Sequence, residues 1–105
     1  MSPDNITTVN LLISGRVQGV GYRTWASKAA RKLGLRGWVR NLTNGNVEAV
    51  AQGPKDAVDQ FVGACQAGPM LARVTAVDTK VMDKPLPAIP DNGFNQLDTH
   101  DPVSA

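Results

Sequence analysis

Apolar and polar positions alternate along this chain in two distinct periods. Val9-Asn10-Leu11-Leu12-Ile13-Ser14 is a short apolar run of strand-forming residues and predicts a first strand over 9–14. From Tyr22 the period changes. Tyr22, Trp25, Ala26, Ala29, Ala30 and Leu33 recur at helical spacing, with Lys28, Arg31 and Lys32 on the other side. This predicts a helix from about Thr24 to Leu33, ended by Gly34 as a left-handed cap. Leu35 to Asn41 reads as a second strand, Thr43-Asn44-Gly45-Asn46 as a hairpin turn, and Asn46 to Gln52 as the returning strand. In the returning strand Val47, Ala49 and Ala51 share one face, and Glu48 and Gln52 the other. Gly53-Pro54 ends it, and Pro54 is expected at the first position of a second helix. That helix carries an apolar stripe of Ala57, Val58, Phe61, Val62 and Cys65, and closes at Gly68-Pro69. Arg73 to Val81 alternates again, with Val74, Ala76 and Asp78 against Thr75, Val77, Thr79 and Val81. The segment 84–93 holds three prolines and reads as loop, and Phe94 to Leu97 as a short edge strand.

The order strand, helix, strand, strand, helix, strand is the split βαβ arrangement. The expected fold is α+β and ferredoxin-like (βαββαβ): a two-layer sandwich of an antiparallel sheet with two helices on one face. Residues 9–97 form the domain, between a flexible leader (1–8) and a flexible tail (98–105). One sheet face is left open to solvent or ligand. The architecture itself is silent on function, because it hosts enzymes, RNA binders and ligand sensors alike.

Charge and composition narrow the partners. With 105 residues, 42% hydrophobic and 19% charged, the chain fits one ordinary globular domain. A net charge of +2 and a pI near 9.0 suit a small anionic ligand but fall short of a nucleic-acid footprint. Lys28, Arg31, Lys32 and Arg36 group at one helix end, where cations are favoured by the helix dipole. Cys65 is the single cysteine, which excludes an intrachain disulfide. Met1 to Thr8 lacks a signal-peptide apolar core and no run is long enough to span a membrane, so a cytoplasmic protein is expected.

The candidate chemistry lies at Gly15-Arg16-Val17-Gln18-Gly19-Val20-Gly21-Tyr22-Arg23, between the first strand and the first helix. Glycines there open conformations denied to other residues and allow a ligand close to the backbone. Free N–H groups at a helix start, with the helix dipole, attract an anion. Arg23 adds a fork of donors matched to phosphate or carboxylate oxygens. The spacing is neither a P-loop nor a dinucleotide fingerprint. Two readings of the turn stand at this point: an oxyanion cradle and a purely structural turn.

A second stretch, Gly37-Trp38-Val39-Arg40-Asn41 followed by Asn44-Gly45-Asn46-Val47-Glu48, changes the balance. Together with Gly15 to Arg23 it closely resembles the acylphosphatase family, over roughly residues 9 to 97 and with both family signatures in order. The resemblance implies the split βαβ fold and metal-independent, cofactor-free hydrolysis of the mixed anhydride of a carboxylic acid and phosphate. It puts the phosphate-binding arginine at Arg23, the phosphate loop at Gln18, Gly19, Val20, Gly21 and Tyr22, and the water-positioning asparagine at Asn41. Residue chemistry agrees with these roles. An acyl phosphate carries a good leaving group, so positioning and charge stabilisation suffice. Arg23 keeps its charge at any working pH, and Asn41 can both accept from water and donate. Asn44 stands where an aspartate is common before the hairpin glycine.

Competing chemistries find less support. Cys65 lies on an apolar helical stripe, where an inert thiol is expected, and His100, the single histidine, sits in the expected tail. Asp4, Asp78 and Asp83 are scattered, without a metal-ligand cluster. An RNA binder would place stacking aromatics on the open sheet face, yet Trp25 and Phe61 belong to helix stripes. A monomer acting on a small acyl phosphate, without nucleic acid or membrane, is the expectation; a non-catalytic phosphate or anion sensor on the same fold is the alternative.

Overall fold

A computed structural model describes residues 6–82 and 93–101. The chain runs β1 (Ile6–Arg16), α1 (Tyr22–Lys32), β2 (Arg36–Asn41), β3 (Val47–Pro54), α2 (Lys55–Ala67), β4 (Arg73–Val81) and β5 (Phe94–Gln96). The sheet order is β4-β1-β3-β2-β5. The first four strands pair antiparallel, as the split βαβ order requires, and β5 is added at the β2 edge in parallel. The edge strand expected from Phe94 is therefore present, but it makes the sheet mixed. Of the six elements before β5, five have a boundary shifted by one to three residues from the sequence reading, and the shifts have physical causes.

β1 begins at Ile6, where the leader was expected to run to residue 8, because β3 continues to Pro54 and pairs Ile6, Thr7 and Thr8 with Pro54, Gly53 and Gln52. Pro54, expected as the first helical residue, sits instead at the N-cap of α2 with ψ 141°, and the helix starts one residue later at Lys55. Gly34 closes α1 as expected: Leu35 N–H donates to Ala30 O and Gly34 N–H to Arg31 O, both at 3.0 Å, the Schellman pattern. The hairpin loop is wider than a two-residue Asn-Gly turn. Leu42 N–H donates to Asn46 O at 2.8 Å, and the Asn44 side chain accepts from Asn46 N–H at 3.0 Å. Asn44 thus works through its side chain, with only Gly45 at positive φ.

The β1–β4 register shifts between Ser14 and Gly15. This bulge overrides the simple alternation of β4, so that Val74 and Val77 both pack against the core. Gly15 has φ 118°, and a Cβ there would lie 2.2 Å from the Arg73 carbonyl oxygen. Only glycine fits that close approach.

The core lies between the sheet and both helices. Val9, Leu11 and Ile13 of β1, Val39 of β2 and Val47, Ala49 and Ala51 of β3 meet Ala26 and Ala30 of α1 and Val58, Phe61 and Cys65 of α2. Phe61 and Phe94, both fully buried, pack edge to face with centroids 5.7 Å apart and anchor β5. The opposite sheet face, which neither helix covers, carries a side-chain layer of its own. Val50 is buried there beside its strand partner Trp38, and the Arg40 guanidinium stacks over Trp38 at 4.6 Å. Glu48 accepts from Arg40 at 2.8 Å and from Asn10 at 3.0 Å, and Gln52 links Thr8 and Arg36.

The segment after β5 follows β2 beyond its end. Leu97 N–H donates to Val39 O, His100 N–H to Asn41 O and Thr43 N–H to His100 O. Residues 98–101, expected as tail, are therefore held by the open edge of β2, whose unpaired backbone groups need partners. The expected loop at 84–92 and the remainder of the leader and tail lie outside the described residues. No described helix is long and apolar enough to cross a membrane.

Two buried acids, Tyr22 of α1 and Cys65 of α2, have a consequence for pH. Burial pushes the Cys65 thiol up from 9.0 to about 12, with the Tyr22 hydroxyl beside it lowering the value only in part. Burial also raises Tyr22, whose hydroxyl donates to Cys65 O at 2.6 Å. Upward shifts favour the protonated forms on folding, so their contribution is complete below pH 9.0 and is lost as pH climbs toward about 12. The thermal midpoint should fall steeply above pH 9.0, and Cys65→Ala should flatten that slope in a calorimetric pH series.

Candidate active site

β1 and α1 are joined by five residues, 17–21, whose backbone turns at two glycines. Gly19 has φ 74° and Gly21 φ 78°, left-handed values that other residues rarely adopt. Gly21 is the N-cap of α1, and its carbonyl accepts the first helical bond, from Trp25 N–H at 3.0 Å. Among the described residues, the N–H groups of Gly19 to Thr24 donate to no backbone carbonyl. Such donors must find water or a ligand. The first turn of α1 carries no acidic residue to compete for them.

The side chains beside this turn come from three other parts of the chain. A cavity of about 130 Å³ is walled by Gly19, Gly21, Arg23 and Thr24 from the turn and α1, Asn41 from β2 and Gln96 from β5, with Val17 and Tyr22 completing it. Arg23 and Asn41, 18 positions apart in the chain by their numbering, thus share one cavity. Arg23 is half-buried, and its Nη1 donates to the Leu97 carbonyl at 3.3 Å. That bond aims the guanidinium while leaving most of its five donors unused. Asn41 is half-buried at the last position of β2, and its carbonyl is occupied by His100 N–H at 3.0 Å.

The other residues singled out in the sequence divide. Gly19 and Gly21 line the cavity. Tyr22 also borders it, but its ring is buried and its hydroxyl is bonded to Cys65 O, so it supports the turn from below. Val20 lines a larger neighbouring cavity and packs on the core. The Gln18 side chain turns the other way. Its Nε2 donates to the carbonyls of Leu42 and Asn46 at 2.7 and 2.8 Å, which ties the turn to the hairpin that follows Asn41. Thr24 and Gln96, joined by a 3.4 Å Nε2–Oγ1 hydrogen bond, escaped the sequence reading. Thr24 could have been found from its place in the first helical turn. Gln96 had no signal, because only the parallel β2–β5 pairing brings it here.

Among the described residues no group of three or more His, Cys, Asp or Glu side chains comes together. The cavity therefore offers backbone amides, one guanidinium, one hydroxyl and two amide side chains. That set can bind an oxyanion and orient a small polar molecule beside it. The fold and the site together define a two-layer α+β sandwich with a small polar cavity at the start of its first helix.

Known proteins give this class its family. The acylphosphatase family profile matches residues 9–95. An acylphosphatase of Methylococcus capsulatus is 53% identical over 74 residues, covering 70% of this chain and 80% of that one. One from Nitrobacter hamburgensis is 46% identical over 95 residues, covering 85% and 92%. The crystal structure of the Bacillus subtilis acylphosphatase superposes with a TM-score of 0.80 at 33% identity, covering 87% of this chain and 98% of that one. The chain belongs to the acylphosphatase family.

The Gln18 clamp makes a prediction of its own. Gln18→Ala removes two bonds and should lower kcat/KM for benzoyl phosphate by about ten- to a hundredfold, with the circular dichroism spectrum retained. Gln18→Glu, which would set an acceptor against two carbonyls, should be the worse of the two.

Proposed function

We propose that this enzyme hydrolyses small acyl phosphates to carboxylate and inorganic phosphate, with the backbone N–H groups of the 18–22 turn and Arg23 holding the phosphoryl group and Asn41 positioning the attacking water. The observation that carries the reading is the convergence of unpaired amides, Arg23 and Asn41 on one small cavity. The family signatures at Gly15–Arg23 and Gly37–Asn41 support the same roles.

The proposed steps are few. The amides and Arg23 take the non-bridging phosphoryl oxygens and stabilise the charge spread over them as the bond to the acyl oxygen loosens. The Asn41 side chain holds water by its amide oxygen or nitrogen for in-line attack on phosphorus. A new P–O bond forms to water, the P–O bond to the acyl oxygen breaks, and the pair of electrons leaves with the carboxylate. The proton of the attacking water passes to the phosphate oxygens or to solvent, since neither Arg23 nor Asn41 is a base near neutral pH. The carboxylate is a stable leaving group, so no general acid is needed. The reading includes a cytoplasmic monomer.

The test is hydrolysis of benzoyl phosphate in the presence of EDTA. Wild type should turn over. Arg23→Ala should lose phosphate binding and nearly all activity, and Asn41→Ala should lose turnover by at least about a hundredfold while still binding phosphate as a competitive ligand. A folded wild type without activity would overturn the hydrolase reading in favour of an anion-binding module.

A further inference from the structure

A second cavity, of about 500 Å³, opens on the other flank of the same turn and shares Gly19 with the smaller one. Its walls are Val20 from the turn, Met70 and Leu71 from the α2–β4 connection, and Arg16 and Arg73 at the end of the β1–β4 ladder. Met70 and Leu71 are 97% and 70% exposed, a large apolar surface for this chain to leave in water. Arg16 and Arg73 are direct strand partners, so two positive side chains stand opposite one another. Like charges in that position cost stability. Neither guanidinium has a hydrogen bond or ion pair among the described residues, and no acidic side chain lines the cavity there.

The position of this cavity follows from the sheet order. At one end of the sheet the strands succeed each other as β4, β1, β3, β2, so Arg73 and Arg16 lie on one side of the turn and Asn41 on the other. In-line displacement at phosphorus places the leaving oxygen opposite the attacking water. With water held at Asn41, the acyl group leaves toward the β1–β4 flank. That flank offers an apolar stretch followed by two unpaired guanidiniums.

Resting on the hydrolase reading above, we propose that this cavity is an acyl subsite, and that Arg16 and Arg73 select acyl phosphates whose acyl chain ends in a second carboxylate. The apolar side chains of Val20, Met70 and Leu71 cover the methylene stem, and the two guanidiniums take the terminal carboxylate oxygens, relieving their mutual repulsion.

The matched probes are succinyl phosphate and butyryl phosphate, which share a four-carbon chain and differ in the terminal charge, with benzoyl phosphate as reference. Wild type should prefer succinyl phosphate by about tenfold in kcat/KM, chiefly through KM, and the preference should shrink with added salt. Arg16→Gln/Arg73→Gln should bring the succinyl-to-butyryl ratio close to one, and Arg73→Glu should push it below one. Turnover of benzoyl phosphate with no succinyl preference, or variants that leave the ratio where it was, would overturn the subsite alone. A wild type inactive on all three would overturn the hydrolase reading, and the subsite with it.

Discussion

A run of backbone N–H groups with no acceptor among the described backbone carbonyls is the constraint on which the rest of this structure depends. From Gly19 to Thr24 the turn and the first helical residues present donors that no described backbone carbonyl accepts. Leaving such groups without a partner is costly, so they must face water or an anion. Two residues at left-handed φ, Gly19 and Gly21, let the chain hold that shape. Arg23 follows within the first turn of α1, where its charge adds to the helix dipole. An anion at this place is thus met by partial charges from the backbone and a full charge from one side chain.

What surrounds the turn keeps it in that shape. Tyr22 is pinned below by its bond to Cys65 O, Gln18 reaches across to the hairpin, and Arg23 is steered by the Leu97 carbonyl. These contacts reach three elements far apart in sequence: α2, the β2–β3 hairpin and the segment after β5. Asn41 is positioned from the same set, because the hairpin and residue 100 bracket the end of β2. The site is therefore an intersection of long-range contacts, and the rigidity needed for alignment comes from the sheet underneath.

Local pattern was enough to read the first four strands, both helices and the Gly34 cap, since each rests on periodicity or on one residue's backbone freedom. Arg23 and Asn41 were legible only as members of two long signatures; no local property of either side chain predicts that they share a cavity. Other features depend on pairing between distant segments. The bulge at Ser14/Gly15 moves Val74 and Val77 to one face, and the strand alternation of β4 carries no trace of it. The parallel alignment of β5, which delivers Gln96 to the cavity, and the attachment of residues 98–101 arise from the unsatisfied edge of β2. Gln18 shows the same limit. Its place in the turn carries no signal of where the side chain goes, which is to two carbonyls of the hairpin.

The most direct measurement of the central claim is a titration of the ¹⁵N-labelled protein with inorganic phosphate, followed through its backbone amide resonances. The amides of Gly19, Gly21, Tyr22 and Arg23 should shift together in a single saturable process, with downfield proton shifts of the kind that hydrogen bonds to an anion produce. Saturable shifts confined to another region, or none in the turn while competitive inhibition by phosphate is observed, would contradict the assignment of these amides as the anion cradle.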